Sequence, residues 1–198
     1  MGRYAFLTDT YETERLKTLS VWSEFADGEL GFRPAPLART PREQMVHQCV
    51  SEDTWFRTML GIDLGEPPLP PGESRQAFMT RYAAASARRL AELRARPDAW
   101  YEGEASFFGA PRPRTWILVR RFTHSAHHRA QLTTYLRLLG KPLYSTYGPT
   151  ADTGGLFTNQ APVIYRYPDV ETLLEREAEG GAWPPLPGPG DTPPTERP

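Results

Sequence analysis

Apolar residues recur at helical spacing in four long stretches of this chain, and clusters rich in proline separate them. The first stretch covers about residues 9–30. Leu19, Trp22, Phe25, Ala26 and Leu30 share its apolar side, and Asp9 with Glu12 fits a capping arrangement. The second has the clearest start: Thr40 as N-cap, Pro41 in the first helical position and Glu43 closing a capping box. Met45, Cys49, Phe56 and Met59 or Leu60 form its stripe, and Gly61 stands where it should stop. The third begins after Pro70-Pro71-Gly72, carries Phe78, Met79, Tyr82, Ala83, Leu90 and Leu93, and ends before Pro97. Residues 100–109 break the period. They are rich in aromatics and turn formers and read as a loop or short hairpin. The fourth stretch covers about residues 115–139, with Leu118, Phe122, Leu132, Leu136 and Leu139 on one side. Gly140 is its expected stop and Pro142 follows.

Four helices of about 20 residues with modest connections predict an all-α four-helix bundle. The pattern divides the chain into that bundle over residues 1–143, an extension over 144–180 and a Pro/Gly-rich tail over 181–198. Within the extension, residues 144–167 are rich in Gly, Thr and Tyr and should pack irregularly on the bundle. A short helix near residues 168–177 would place Val170, Leu173 and Leu174 against it. The tail reads as extended chain.

Charge and composition narrow the partners. The 23 basic and 24 acidic residues nearly cancel, which argues against a nucleic-acid surface. Cys49 is the only cysteine, so no intrachain disulfide can form. The start of the chain lacks the apolar core and cleavage site of a signal peptide, and no stretch is apolar enough to span a membrane. A cytoplasmic protein is expected.

The chemistry concentrates on the fourth stretch. Ile117, Arg121, His124, His128, Gln131 and Tyr135 share one helical side. A solvated face would show Lys and Glu, and a core face Leu and Val. His124 and His128 are one turn apart, with roughly 6 Å between their Cβ atoms, close enough to share a metal ion. His47, on the second stretch, is the remaining histidine outside this run and a candidate third ligand if the two helices are neighbours. His127 projects away from His128. Cys49 reads as a small core residue, and Glu52 and Asp53 are either acceptors for an imidazole N–H or part of a solvated face.

The run His124-Ser125-Ala126-His127-His128-Arg129-Ala130-Gln131-Leu132, followed by Leu136-Arg137-Leu138-Leu139-Gly140, resembles the HHRGQ signature of the DinB-like (damage-inducible) family. The segment Met45-Val46-His47-Gln48-Cys49-Val50-Ser51-Glu52 is similar to that family's second-helix histidine region, and the resemblance covers about residues 10–142. It implies an up-down-down-up bundle, a homodimer, and a divalent metal held by His47, His124 and His128. One departure is Ala130, where the signature usually has glycine. Residues beyond 142 look like the extension of one subgroup.

Two functions follow. The leading one is a metal-dependent enzyme acting on a small molecule, with Zn²⁺, Ni²⁺ or Fe²⁺ activating water for hydrolysis or a low-molecular-weight thiol for transfer. Gln131 and Tyr135 would line its cavity. The chain offers no plausible catalytic cysteine, so a thiol would arrive as cosubstrate. The alternative is a non-catalytic metal-binding stress or interaction protein, with the space beside the metal filled by residues 144–167.

Overall fold

A computed structural model describes residues 2–155, 165–181 and 184–189. Among these the chain is mostly helical. The helices are α1 (Ala5–Ser23), α2 (Pro41–Thr58), α3 (Arg75–Arg94), α4 (Asp98–Glu102), α5 (Arg114–Leu138) and α6 (Val170–Ala178). A single 3-10 turn covers Asp27–Glu29, and strands β1 (Glu104–Phe107) and β2 (Ala110–Pro113) pair antiparallel between α4 and α5.

Three long helices fall close to their expected ranges, and the first does not. It starts at Ala5, ahead of the Asp9 cap, and ends at Ser23 instead of near Leu30. Residues 24–30 leave it through the 3-10 turn, closed by Glu29 accepting from the Ala26 backbone N–H at 2.7 Å. The hairpin stands where aromatic and turn residues broke the helical period. The residues just before it form α4, a five-residue helix that the loop reading omitted. It is too short to show a period. Tyr101 anchors it by donating to the Leu93 carbonyl at 2.7 Å, and Trp100 lies between the Arg96 and Arg114 guanidiniums.

α1 packs against α3 and α5, α2 against α5, and α6 against α1 and α3. The apolar interior forms two clusters. One gathers Leu19, Trp22, Phe25, Met45, Phe78, Met79, Leu132 and Leu136, and takes in Val170 and Leu173 of α6. The other gathers Leu7, Tyr11, Phe56, Leu90, Leu93, Ile117, Leu118 and Phe122. Between them each long helix contributes buried polar groups: Arg15 and Thr18 on α1, Glu52 on α2, Ser86 and Arg89 on α3, and Arg121, Ser125, His128 and Arg129 on α5. A polar layer therefore crosses the middle of the fold, and the histidines lie at its edge.

The expected irregular packing of residues 144–167 falls partly outside the described residues, at 156–164, as do residues 182–183 and 190–198 of the expected tail. No helix among the described residues is long and apolar enough to cross a membrane.

Candidate metal centre

The capping box of α2 fixes where that helix begins and hence which side His47 occupies. Thr40 accepts from the Glu43 backbone N–H at 3.2 Å, and Glu43 accepts from the Thr40 N–H at 2.7 Å. His124 and His128 come from α5, one turn apart, and face His47 across the α2–α5 contact. The three rings converge through their Nε2 atoms: His47 to His124 at 3.4 Å and His124 to His128 at 3.2 Å. The three potential ligand atoms all lie within 4.8 Å of one another. His128 is buried, and His47 and His124 are half-buried.

The hydrogens on these rings follow from their neighbours. Gln44 Nε2 donates to Gln131 Oε1 at 2.8 Å, and the same oxygen faces His128 Nδ1 at 2.9 Å. An amide oxygen only accepts, so His128 carries its hydrogen on Nδ1 and keeps its Nε2 lone pair toward the centre. His124 is arranged the other way. Its Nδ1 faces Arg121 Nη1 at 3.2 Å, and a guanidinium only donates. The neutral His124 ring therefore carries its hydrogen on Nε2, pointing at the other imidazoles.

All three rings are held neutral. Burial, then the positive fields of Arg39, His128 and Arg121, lowers the His47 pKa to about 4. Burial, then Arg121 and the neighbouring imidazoles, lowers that of His124 to about 3. Burial also lowers His128, against an opposing hydrogen bond to Gln131. Three neutral nitrogen donors gathered at one point fit a divalent cation. His128 is already in the ligating tautomer; a neutral His124 would bind such an ion through Nε2 with its hydrogen moved to Nδ1 and the Arg121 Nη1 donor turned from that nitrogen toward Ser51.

Behind the triad lies Glu52, fully buried. It accepts from Tyr11 at 2.6 Å, Tyr82 at 2.9 Å, and Arg89 and Arg121 at 3.4 Å each. Burial raises its pKa, but Arg121, Arg89 and the two phenols outweigh it, and the net shift is downward. Arg121 also donates to Ser51 Oγ at 2.8 Å, so one guanidinium joins Glu52, Ser51 and His124. Neither expectation for Glu52 holds: it is buried, not on a solvated face, and it meets arginines where an imidazole N–H was the other possibility. Asp53 pairs with Arg89 at 3.0 Å, also away from the imidazoles.

Of the two cavity candidates, Gln131 is at the site. Tyr135 belongs to the apolar core, its ring edge-on to Phe32 at 6.2 Å. His127 is exposed and stacks edge-on against the His128 ring at 5.0 Å. Cys49 is buried as expected, and burial pushes its thiol up to about 12. Ala130 is exposed, so the place where the signature usually has glycine is not buried among the described residues.

Sequence reasoning missed Arg39 and the double use of Trp55. Arg39 lines a pocket of about 430 Å³ together with His47, Arg42, Val46 and Val50. Trp55 is a core residue, yet its ring also lies 5.6 Å from that of His124. Neither stands in the periodic pattern that singled out the histidines.

The fold and site define a helical protein with three histidines gathered where they can hold a metal. The chain belongs to the DinB superfamily, whose family model matches residues 10–132. It is similar to a solved DinB-like protein from Bacillus cereus ATCC 10987, with 22% identity, a TM-score of 0.64, and coverage of 71% of this chain and 95% of that one. A DinB-like protein (YjoA) from Bacillus subtilis is similar at 16% identity, with a TM-score of 0.57 and coverage of 69% and 92%. Comparison with curated proteins yields no match.

Proposed function

We propose that this protein is a metal-dependent enzyme in which His47, His124 and His128 hold a divalent ion, Zn²⁺, Ni²⁺ or Fe²⁺. The observation that carries this reading is the convergence of three imidazole Nε2 atoms, all kept neutral at physiological pH. A metal with three protein ligands has room for water or a thiol, and supplies the charge that stabilises the deprotonated form of either. Gln131 orients His128, and Arg121 steadies His124. The Cys49 thiol is buried and hard to ionise, so a thiol nucleophile would be a cosubstrate. The pocket beside His47 favours an enzyme over a binding module, because a small molecule seated in it would touch one of the three imidazoles.

The test is metal analysis of protein purified under metal-replete conditions. Wild type should carry stoichiometric divalent metal, and His128→Ala should lose it. A wild-type protein without metal would end the reading. If metal is present, a panel of low-molecular-weight thiols separates transfer from hydrolysis: only transfer needs the thiol.

We also infer the up-down-down-up order of the four long helices. Support comes from the order in which each one meets the two apolar clusters. α1 and α5 pass from the Tyr11–Phe122 cluster to the Trp22–Leu136 cluster, whereas α2 and α3 pass the other way. An experimental structure with α2 and α3 antiparallel would refute it.

A further inference from the structure

Two unlike surfaces flank the histidine triad. On the His47 side lies the pocket of about 430 Å³ that Arg39 lines. Three arginines stand close in sequence here, and two are engaged: Arg33 pairs with Glu43 at 2.8 Å and Arg42 with Glu73 at 3.8 Å. Arg39 is exposed and has no ion pair among the described residues.

On the His124 side lies an aromatic wall. The Trp55 ring is 5.6 Å from His124 and meets Phe107 edge-on at 5.2 Å and Phe108 at 6.2 Å. Phe108 is the odd residue. With Gly109 it forms the two-residue turn of the hairpin, and both have positive φ, 48° and 89°. Such turns favour Asn or Asp before the glycine, because a bulky side chain is strained there. Phe108 accepts that backbone and is still 73% exposed. A residue unfavourable in both respects points to a contact made outside the folded chain.

The triad joins the two surfaces: His47 lines the pocket, in which Glu43 and Glu73 are taken up by Arg33 and Arg42, and His124 lies beside Trp55. We propose that the site takes a small molecule with an anionic group at one end and an aromatic or flat apolar group at the other. Arg39 binds the anion, Phe107 and Phe108 pack against the ring with the buried Trp55 backing them, and the part between lies over the triad. A guanidinium gives the anion a charge-assisted hydrogen bond, and the wall gives the ring an offset or edge-on partner. This substrate class rests on the reading of the triad as a metal site.

The test uses metal-loaded protein and three probes: 4-phenylbutyrate, 4-phenylbutan-1-ol and butyrate. Calorimetry should find phenylbutyrate the tightest. Arg39→Gln should weaken phenylbutyrate roughly tenfold, the scale of one charged hydrogen bond, and leave the alcohol unchanged. Phe108→Ala should weaken both aromatic probes alike and leave butyrate unchanged. Both side chains are exposed, so both variants should fold, which circular dichroism checks.

Phenylbutyrate binding no tighter than the other two, including no binding by any probe, overturns the proposal. So does full phenylbutyrate affinity in Arg39→Gln, since a carboxylate that merely ligates the metal is indifferent to that residue. A dimer in sedimentation that Phe108→Ala splits would assign the wall to a second copy of the chain and also overturn it. Metal content measured on each sample separates the two readings. Unselective binding with metal present sinks this proposal alone, whereas absent metal sinks the metal site beneath it.

Discussion

His124 and His128 sit one turn apart on α5 and yet carry their hydrogens on opposite ring nitrogens, because one faces Arg121 and the other Gln131. The residue that orients a ligand matters nearly as much as the ligand. Gln131→Leu should therefore weaken metal binding roughly 10–100-fold while the protein stays folded, measured by competition with a chelator. Unchanged affinity would show that His128 needs no such partner. The lowered imidazole pKa values make a second prediction, for the metal-free protein. Unfolded rings take up protons below about 6.5, whereas folded His47 resists to about 4 and folded His124 to about 3. The unfolded state then binds more protons, so this share of stability is complete above pH 6.5 and drains as pH falls toward those values. Melting temperatures between pH 7 and pH 4 should fall less steeply for His124→Gln than for wild type; equal slopes would exclude this ring as the source. The histidine pair and Gln131 were legible because they repeat at helical spacing within one stretch. Arg39 was not, because its relation to His47 arises where the α1–α2 connection passes the site.

Local chemistry placed some elements and not others. α2 was legible to its first residue because its start is written in Thr40, Pro41 and Glu43, and each plays the role its type suggests. Thr40→Ala removes the acceptor for the Glu43 N–H and should cost about 1 kcal/mol in urea unfolding. Thr40→Gly should cost less; equal losses would mean that the hydroxyl is not what holds the helix start. α1 was misplaced because its N-terminus has no side-chain cap, so Asp9 offered a false start. Its far end was misplaced because Phe25 and Leu30 are core residues and extended the apolar pattern past the helix into the turn. Helical spacing reports which side chains are buried, and burial continues after hydrogen bonding stops. α6 was found from the spacing of Val170, Leu173 and Leu174; the structure adds the Asp169 cap, which accepts from the Thr172 N–H at 2.7 Å.

At the scale of the molecule the unforeseen feature is the polar layer between the two apolar clusters. Sequence reasoning takes charged residues as solvated by default, and Glu52, Arg89 and Arg121 lie on three different helices. Nothing local announces that they meet. The layer sets a firm expectation for stability. Glu52→Leu would leave the Arg121 and Arg89 cations buried without the carboxylate between them, and should cost about 3–5 kcal/mol. Arg121→Leu removes only one of its two guanidinium partners. Arg89, Tyr11 and Tyr82 still hold the carboxylate, so this loss should be smaller. The double variant removes one charge of each sign, and should be less destabilised than the two single losses added together. Urea unfolding of the four proteins gives the coupling directly. Additive losses would mean that Arg121 and Glu52 are neighbours without energetic consequence. A positive coupling would make the ion pair the strut that holds Arg121 against His124, and would tie the histidine geometry to a carboxylate that contacts none of the three rings.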